Sequence, residues 1–142
     1  MSGTPHPPAA PPPPSTILIV EDETALRRVL ERVLVREGYR VLAAASAETA
    51  YELLASEPAD AVLLDVQLPT MSGLALYLAL IHRHPQLAGR IAIMSGDAEA
   101  EHVRSWLELN PCTVLKKPFD VHQIVEWAHE LLGASDRRTG NG

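Results

Sequence analysis

Between residues 16 and 133 the chain repeats one unit five times: a short apolar run, then a longer segment whose apolar residues recur every three or four positions. A run such as Ile17-Leu18-Ile19-Val20 has no polar face, so as a strand it must be covered on both sides. The helical segments supply that cover, and the alternation predicts a parallel sheet with helices on both faces. The strands are expected at 16–21, 40–44, 60–65, 90–95 and 113–116, with 60–65 central.

The helical stripes follow the same reading. Leu26, Val29, Leu30, Val33 and Leu34 line the first, closed by Gly38 as a left-handed cap. Ala47, Ala50, Tyr51 and Leu54 line the second, which Pro58 ends. Leu74, Tyr77, Leu78 and Ile81 form the expected core side of the third, from about Gly73 to before Pro85. Leu76 and Leu80 fall outside that stripe and leave two readings open, an extra-buried helix or a contact surface for a partner or a second copy. Val103, Leu107 and Trp106 anchor the fourth helix, and Val121, Ile124, Val125, Ala128, Leu131 and Leu132 the fifth. Trp106 and Trp127 are expected to pack on the core, with a signalling face formed by these two helices as the sharper alternative. His82 and His84, two apart on one helix, do not share a face and are given no metal role.

Outside this region the composition changes. Residues 1–15 hold seven of the 12 prolines and read as a disordered Pro-rich leader, and 134–142 as a disordered tail. One folded domain, 16–133, remains. The net charge of -6 argues against a nucleic-acid footprint, and no apolar stretch is long enough to cross a membrane. Cys112 is the single cysteine, so no internal disulfide exists, and a cytoplasmic location is expected.

Ligands of an open parallel sheet bind beyond the carboxyl ends of its strands, where strand order reverses. The runs end there in Glu21-Asp22-Glu23, Asp65, Ser95 and Lys116-Lys117. Singly, each has an ordinary explanation: acids before a helix offset its dipole, an aspartate starts a turn, a lysine sits on the surface. Gathered at one edge, the carboxylates repel one another, and a hard cation such as Mg2+ relieves this while keeping positions open for phosphate oxygens.

Four motifs in order make the chain resemble the receiver domain of two-component response regulators over nearly all of 16–133. They are Ile17-Leu18-Ile19-Val20-Glu21-Asp22-Glu23, then Leu63-Leu64-Asp65-Val66-Gln67-Leu68-Pro69 with Gly73, then Ile93-Met94-Ser95-Gly96, then Lys117-Pro118-Phe119. The resemblance implies an α/β, flavodoxin-like, doubly wound five-stranded parallel sheet of order 2-1-3-4-5 with five helices. It implies Asp65 as phosphoacceptor, Glu21 and Asp22 with Asp65 as Mg2+ ligands, and the Gln67 backbone carbonyl as a further ligand. Ser95 takes the switch-hydroxyl position and Lys117 the lysine position, often aimed by a cis peptide before Pro118. The implied function is a signalling switch, not a conventional enzyme: self-catalysed phosphotransfer from a histidine kinase or phosphotransfer protein, later hydrolysis, and output through a downstream protein partner or homodimer. Phosphoryl transfer needs positioning and charge neutralisation, which a carboxylate, Mg2+ and an ammonium provide.

One position departs from the family. An aromatic residue usually stands three before the lysine, and here it is Val114, as in receivers of hybrid histidine kinases and some free-standing ones. With Met1 at its start, the chain is expected to be free-standing. The alternatives within the family are a phosphate sink, a relay intermediate, or a phosphorylation-independent binding module. A haloacid-dehalogenase-like phosphatase is disfavoured because Gln67 stands where its second aspartate belongs, and dinucleotide binding because no glycine-rich turn follows the first strand.

Overall fold

The computed structural model describes residues 13–133, so most of the Pro-rich leader and all of the 134–142 tail lie outside the described residues. The chain runs β1 (Thr16–Val20), α1 (Thr24–Arg36), β2 (Arg40–Ala44), α2 (Ala47–Ser56), β3 (Ala61–Asp65), α3 (Gly73–Arg83), a 3-10 turn (Pro85–Leu87), β4 (Ile91–Ser95), α4 (Glu101–Leu109), β5 (Thr113–Lys116) and α5 (Val121–Leu132). The strands form one parallel sheet of order β2-β1-β3-β4-β5, as expected.

Three strands are one residue shorter than the sequence suggested. The carbonyl of Glu21 accepts from the Arg27 side chain instead of continuing the ladder. Asp60 turns its carboxylate onto the Thr16 amide at 2.7 Å, and the Arg90 amide closes the 3-10 turn on Leu87 O.

Two-sided burial explains the unbroken apolar runs. Leu18, Val20, Val62, Leu64, Ile91 and Ile93 face one core, with Leu54 of α2 and Leu76 and Leu80 of α3. Ile17, Ile19, Ala61, Leu63, Ala92 and Met94 face the other, with Leu30 and Leu34 of α1 and Ile124 and Trp127 of α5. Each fully buried leucine or isoleucine contributes roughly 1.5–3 kcal/mol relative to exposure.

The stripes need two corrections. In α1, Val29 is 42% exposed, because Leu30 and Leu34 already define the buried line. In α3, Leu76 and Leu80 are fully buried while Leu78 is 47% exposed. Leu74 and Tyr77 are buried as expected, together with Gly73, Leu76 and Leu80, so the contact-surface reading of Leu76 and Leu80 is overturned and the extra-buried helix holds. The two tryptophans pack into opposite cores: Trp127 in that of α1 and α5, Trp106 edge-on against Tyr77 with ring centroids 4.9 Å apart. They do not form a common face.

Local chemistry starts and stops the helices. Ser46 and Ser72 cap α2 and α3, and Asp120 with Gln123 forms a capping box on α5. Gly38 takes φ 97° after α1, the left-handed conformation expected of it. No helix among the described residues is long and apolar enough to cross a membrane.

Candidate functional site

Strand register assembles the site. Val20 pairs with Leu64, so Glu21 follows alongside Asp65. Asp65 pairs with Met94, placing Ser95 one step on, and Ser95 pairs with Lys116, placing Lys117 one step beyond. The ladders continue just past the strand ends through Val66 N to Met94 O at 3.0 Å and Lys117 N to Ser95 O at 2.8 Å. The chain leaves β1 towards α1 on one face of the sheet and leaves β3 towards α3 on the other, which opens a crevice between Glu21-Asp22 and Asp65.

Burial inside this layer is unusual for charged groups. Glu21 is 1% exposed and Asp65 4%, and the half-buried Lys117 ammonium reaches in to both. Lys117 Nζ donates to Glu21 Oε1 at 2.9 Å and to Asp65 Oδ2 at 3.2 Å. The Lys117–Pro118 peptide is cis. The Glu23 amide donates to Glu21 Oε2 at 3.0 Å and the Gln67 amide to Asp65 Oδ1 at 3.0 Å. Both oxygens of both buried carboxylates are therefore engaged. Asp22 is exposed, and its carboxylate makes no hydrogen bond among the described residues.

Burial pushes the Glu21 carboxyl above the usual carboxylate range; the Glu23 amide and Lys117 pull it down, while the Asp65 charge adds to the rise. For Lys117, burial works to lower the pKa, but the hydrogen bond it donates to Glu21 and the nearby Asp65 charge outweigh it and the net shift is upward. The lysine stays an ammonium.

One oxygen atom from each of Glu21, Asp22 and Asp65 lies within 4.8 Å of the others. An all-oxygen donor set with one ammonium against three carboxylates fits a hard divalent cation such as Mg2+ better than a soft one. The sequence-derived acids and the lysine are thus brought together. Ser95 is buried one strand away, where its Oγ accepts from the Asp97 amide at 3.2 Å, leaving its own proton available to donate. Gln67 reaches Asp65 through its amide. Val114 is half-buried against the α2–α3 core.

One contributor was missed in the sequence, and another was quoted there only as part of a motif. Arg27 folds back from α1, its Nη1 donating to Glu21 O at 2.9 Å and Asp22 O at 3.3 Å. Gly73 lies so close to the end of β3 that a Cβ there would run into the Asp65 carbonyl oxygen and stand 2.7 Å from Val66 Cα. A cation early in a helix, against the dipole, was the available signal for Arg27. Gly73 stood in the second motif, but its close approach to the end of β3 was not read from it.

Comparison with known proteins agrees with this geometry. The model of the response regulator receiver domain family matches residues 17–129. The chain is 32% identical over 113 residues to sporulation initiation phosphotransferase F of Bacillus subtilis, covering 80% of this chain and 90% of that protein. It is 33% identical over 106 residues to the DNA-binding transcriptional regulator NtrC of Escherichia coli, covering 75% of this chain but only 22% of that regulator's length. Among solved structures, response regulator protein TrrA of Thermotoga maritima, in complex with Mg(2+)-BeF, superposes with a TM-score of 0.70 at 27% identity, covering 83% of this chain and 99% of that one.

Proposed function

We propose that this chain, which belongs to the response regulator receiver domain family, is a phosphoacceptor switch that takes a phosphoryl group onto Asp65 from a histidine kinase or phosphotransfer protein. The observation that carries the reading is the buried Asp65 carboxylate held 3.2 Å from the Lys117 ammonium, beside the Glu21 and Asp22 acids. Glu21, Asp22, Asp65 and the Gln67 backbone carbonyl would hold Mg2+; the clustered acids, and a solved relative in complex with Mg(2+)-BeF, support a Mg2+ site here. When bound, Mg2+ supplies charge neutralisation for the phosphoryl oxygens.

In the transfer an Asp65 carboxylate oxygen attacks phosphorus. The bond from phosphorus to the donor nitrogen breaks, and its electron pair stays on the donor imidazole. Lys117 balances the charge on the acyl phosphate, since its ammonium already sits against Asp65. The Ser95 hydroxyl donates a hydrogen bond to a phosphoryl oxygen. With Val114 where the family usually has an aromatic ring, the signal leaves through movement of the Ser95 loop and α4 rather than through an inward-turning ring. The receiver of that signal is a downstream protein partner or a second copy of the chain.

Intact mass after incubation with acetyl phosphate and Mg2+ tests the reading. One added phosphoryl group on the parent, absent with EDTA and in Asp65→Asn, is expected. A phosphoryl group retained by Asp65→Asn would place the acceptor elsewhere. No gain on the parent, even from a histidine kinase that labels other receivers, would favour a phosphorylation-independent binding module. The decay rate of the label separates a long-lived switch from a phosphate sink or relay.

A further inference from the structure

We propose that Arg27 is a positioning residue for the metal site, fixing the turn 21–23 in the shape that carries the Asp22 carboxylate to Asp65; this rests on the Mg2+-dependent reading above. Glu21 is held by Lys117 and by the Glu23 amide, so its place is secured without Arg27. Asp22 has no such tie: its side chain is exposed and makes no hydrogen bond among the described residues, so only the backbone decides where its carboxylate stands.

That backbone lacks the usual fastening at the start of a helix. Glu23, the N-cap of α1, makes no side-chain capping bond. Its amide is spent on Glu21 Oε2. Beside that bond, the turn is spanned by the Arg27 guanidinium, with one nitrogen bonded to two consecutive carbonyls, Glu21 O at 2.9 Å and Asp22 O at 3.3 Å. The guanidinium, carried by the helix one turn on, reaches back with the two hydrogens of that nitrogen.

A cation here opposes the helix dipole, and it also repels a divalent ion nearby. Removing Arg27 therefore has two opposed effects on metal affinity. It relieves repulsion, and it releases the one acid that nothing else holds. The two carbonyl oxygens already disperse the guanidinium charge, so the geometric effect dominates and affinity falls.

The test uses Mn2+ alone, followed by its electron paramagnetic resonance signal, on the whole chain. Arg27→Ala is expected to bind Mn2+ about tenfold more weakly, the scale on which supporting groups act at metal sites. Arg27→Lys, whose ammonium sits on a shorter, more flexible stem, is expected in between, and it carries the test if the alanine variant fails to fold. In acetyl phosphate labelling the half-saturating Mg2+ concentration should rise while the rate at saturating Mg2+ stays at the parent value. Unchanged or tighter Mn2+ binding in Arg27→Ala would overturn the proposal, as would a lower maximal rate at unchanged half-saturation. A parent that does not bind Mn2+, or an Asp22→Asn variant that binds it equally well, would overturn the metal-site reading itself and this inference with it.

Discussion

At residue scale, a single methyl group at position 73 separates a working site from a displaced one. The Gly73 amide donates to Val66 O at 2.7 Å, and a Cβ would collide with the Asp65 carbonyl, so two backbones meet where a side chain cannot fit. Gly73→Ala should cost about 1–3 kcal/mol, the usual penalty of overpacking, read as a lower urea midpoint. A midpoint equal to the parent's would mean that α3 can slide without consequence. Cys112 offers a second check on this side of the sheet. Burial pushes its thiol up to about 11, although the Tyr77 hydroxyl pulls the other way. Alkylation by iodoacetamide at pH 8 should therefore be about a hundredfold slower than for an ordinary thiol, since only the thiolate reacts. A rate near that of a free thiol in timed intact-mass measurements would show that the α4–β5 connection opens readily. The site acids and Lys117 were legible in the sequence because charges that end apolar runs conflict with their surroundings. Arg27 was not, because it reads as one of several arginines on a polar helix face, and its contact depends on a backbone turn that no spacing encodes.

At the scale of elements, periodicity located every helix but did not phase every one. In α1, α4 and α5 polar residues separate the apolar ones, so the buried line was nearly fixed by composition, with Val29 the exception. In α3 the sequence Gly-Leu-Ala-Leu-Tyr-Leu-Ala-Leu-Ile is apolar at every step, and two lines one residue apart fit equally well. The close approach of Gly73 to β3 selects the line through Leu76 and Leu80. That choice has a mutational consequence. Leu80→Ala, which empties a fully buried position, should destabilise by roughly 2–5 kcal/mol, whereas Leu78→Ala should change stability by less than about 1 kcal/mol. Equal losses in thermal or urea unfolding would contradict the phasing of α3.

Across the whole molecule, the strand order was expected from the family resemblance and agrees with the observed topology, because two-sided burial and short crossovers leave few ways to wind five such units. The same winding concentrates three carboxylates and one ammonium at a single edge, which couples the stability of the domain to Mg2+ and to pH. Glu21 has a folded-state pKa raised above its ordinary value, chiefly by burial. Its contribution to stability is therefore fully present below the unfolded pKa and is lost as pH rises through the folded one. Lys117, also raised, contributes through neutral pH and loses that contribution only as pH climbs through its folded pKa, above the ordinary lysine range. In EDTA the domain thus gains nothing from ionising Glu21, and the burial of that charge is a cost it carries at neutral pH. A bound cation reverses this, because it stabilises the ionised form. At a hundred times its Kd, Mg2+ should add about 2.7 kcal/mol, a rise of several degrees in Tm. That increment should shrink as pH falls from neutrality into the acid range, since the raised pKa of Glu21 lets protons compete with the cation for it, and it should vanish in Asp22→Asn. Thermal melts with Mg2+ and with EDTA across this range decide the matter: an increment independent of pH would mean that Glu21 takes no part in holding the cation, leaving Asp22 and Asp65 as its acids.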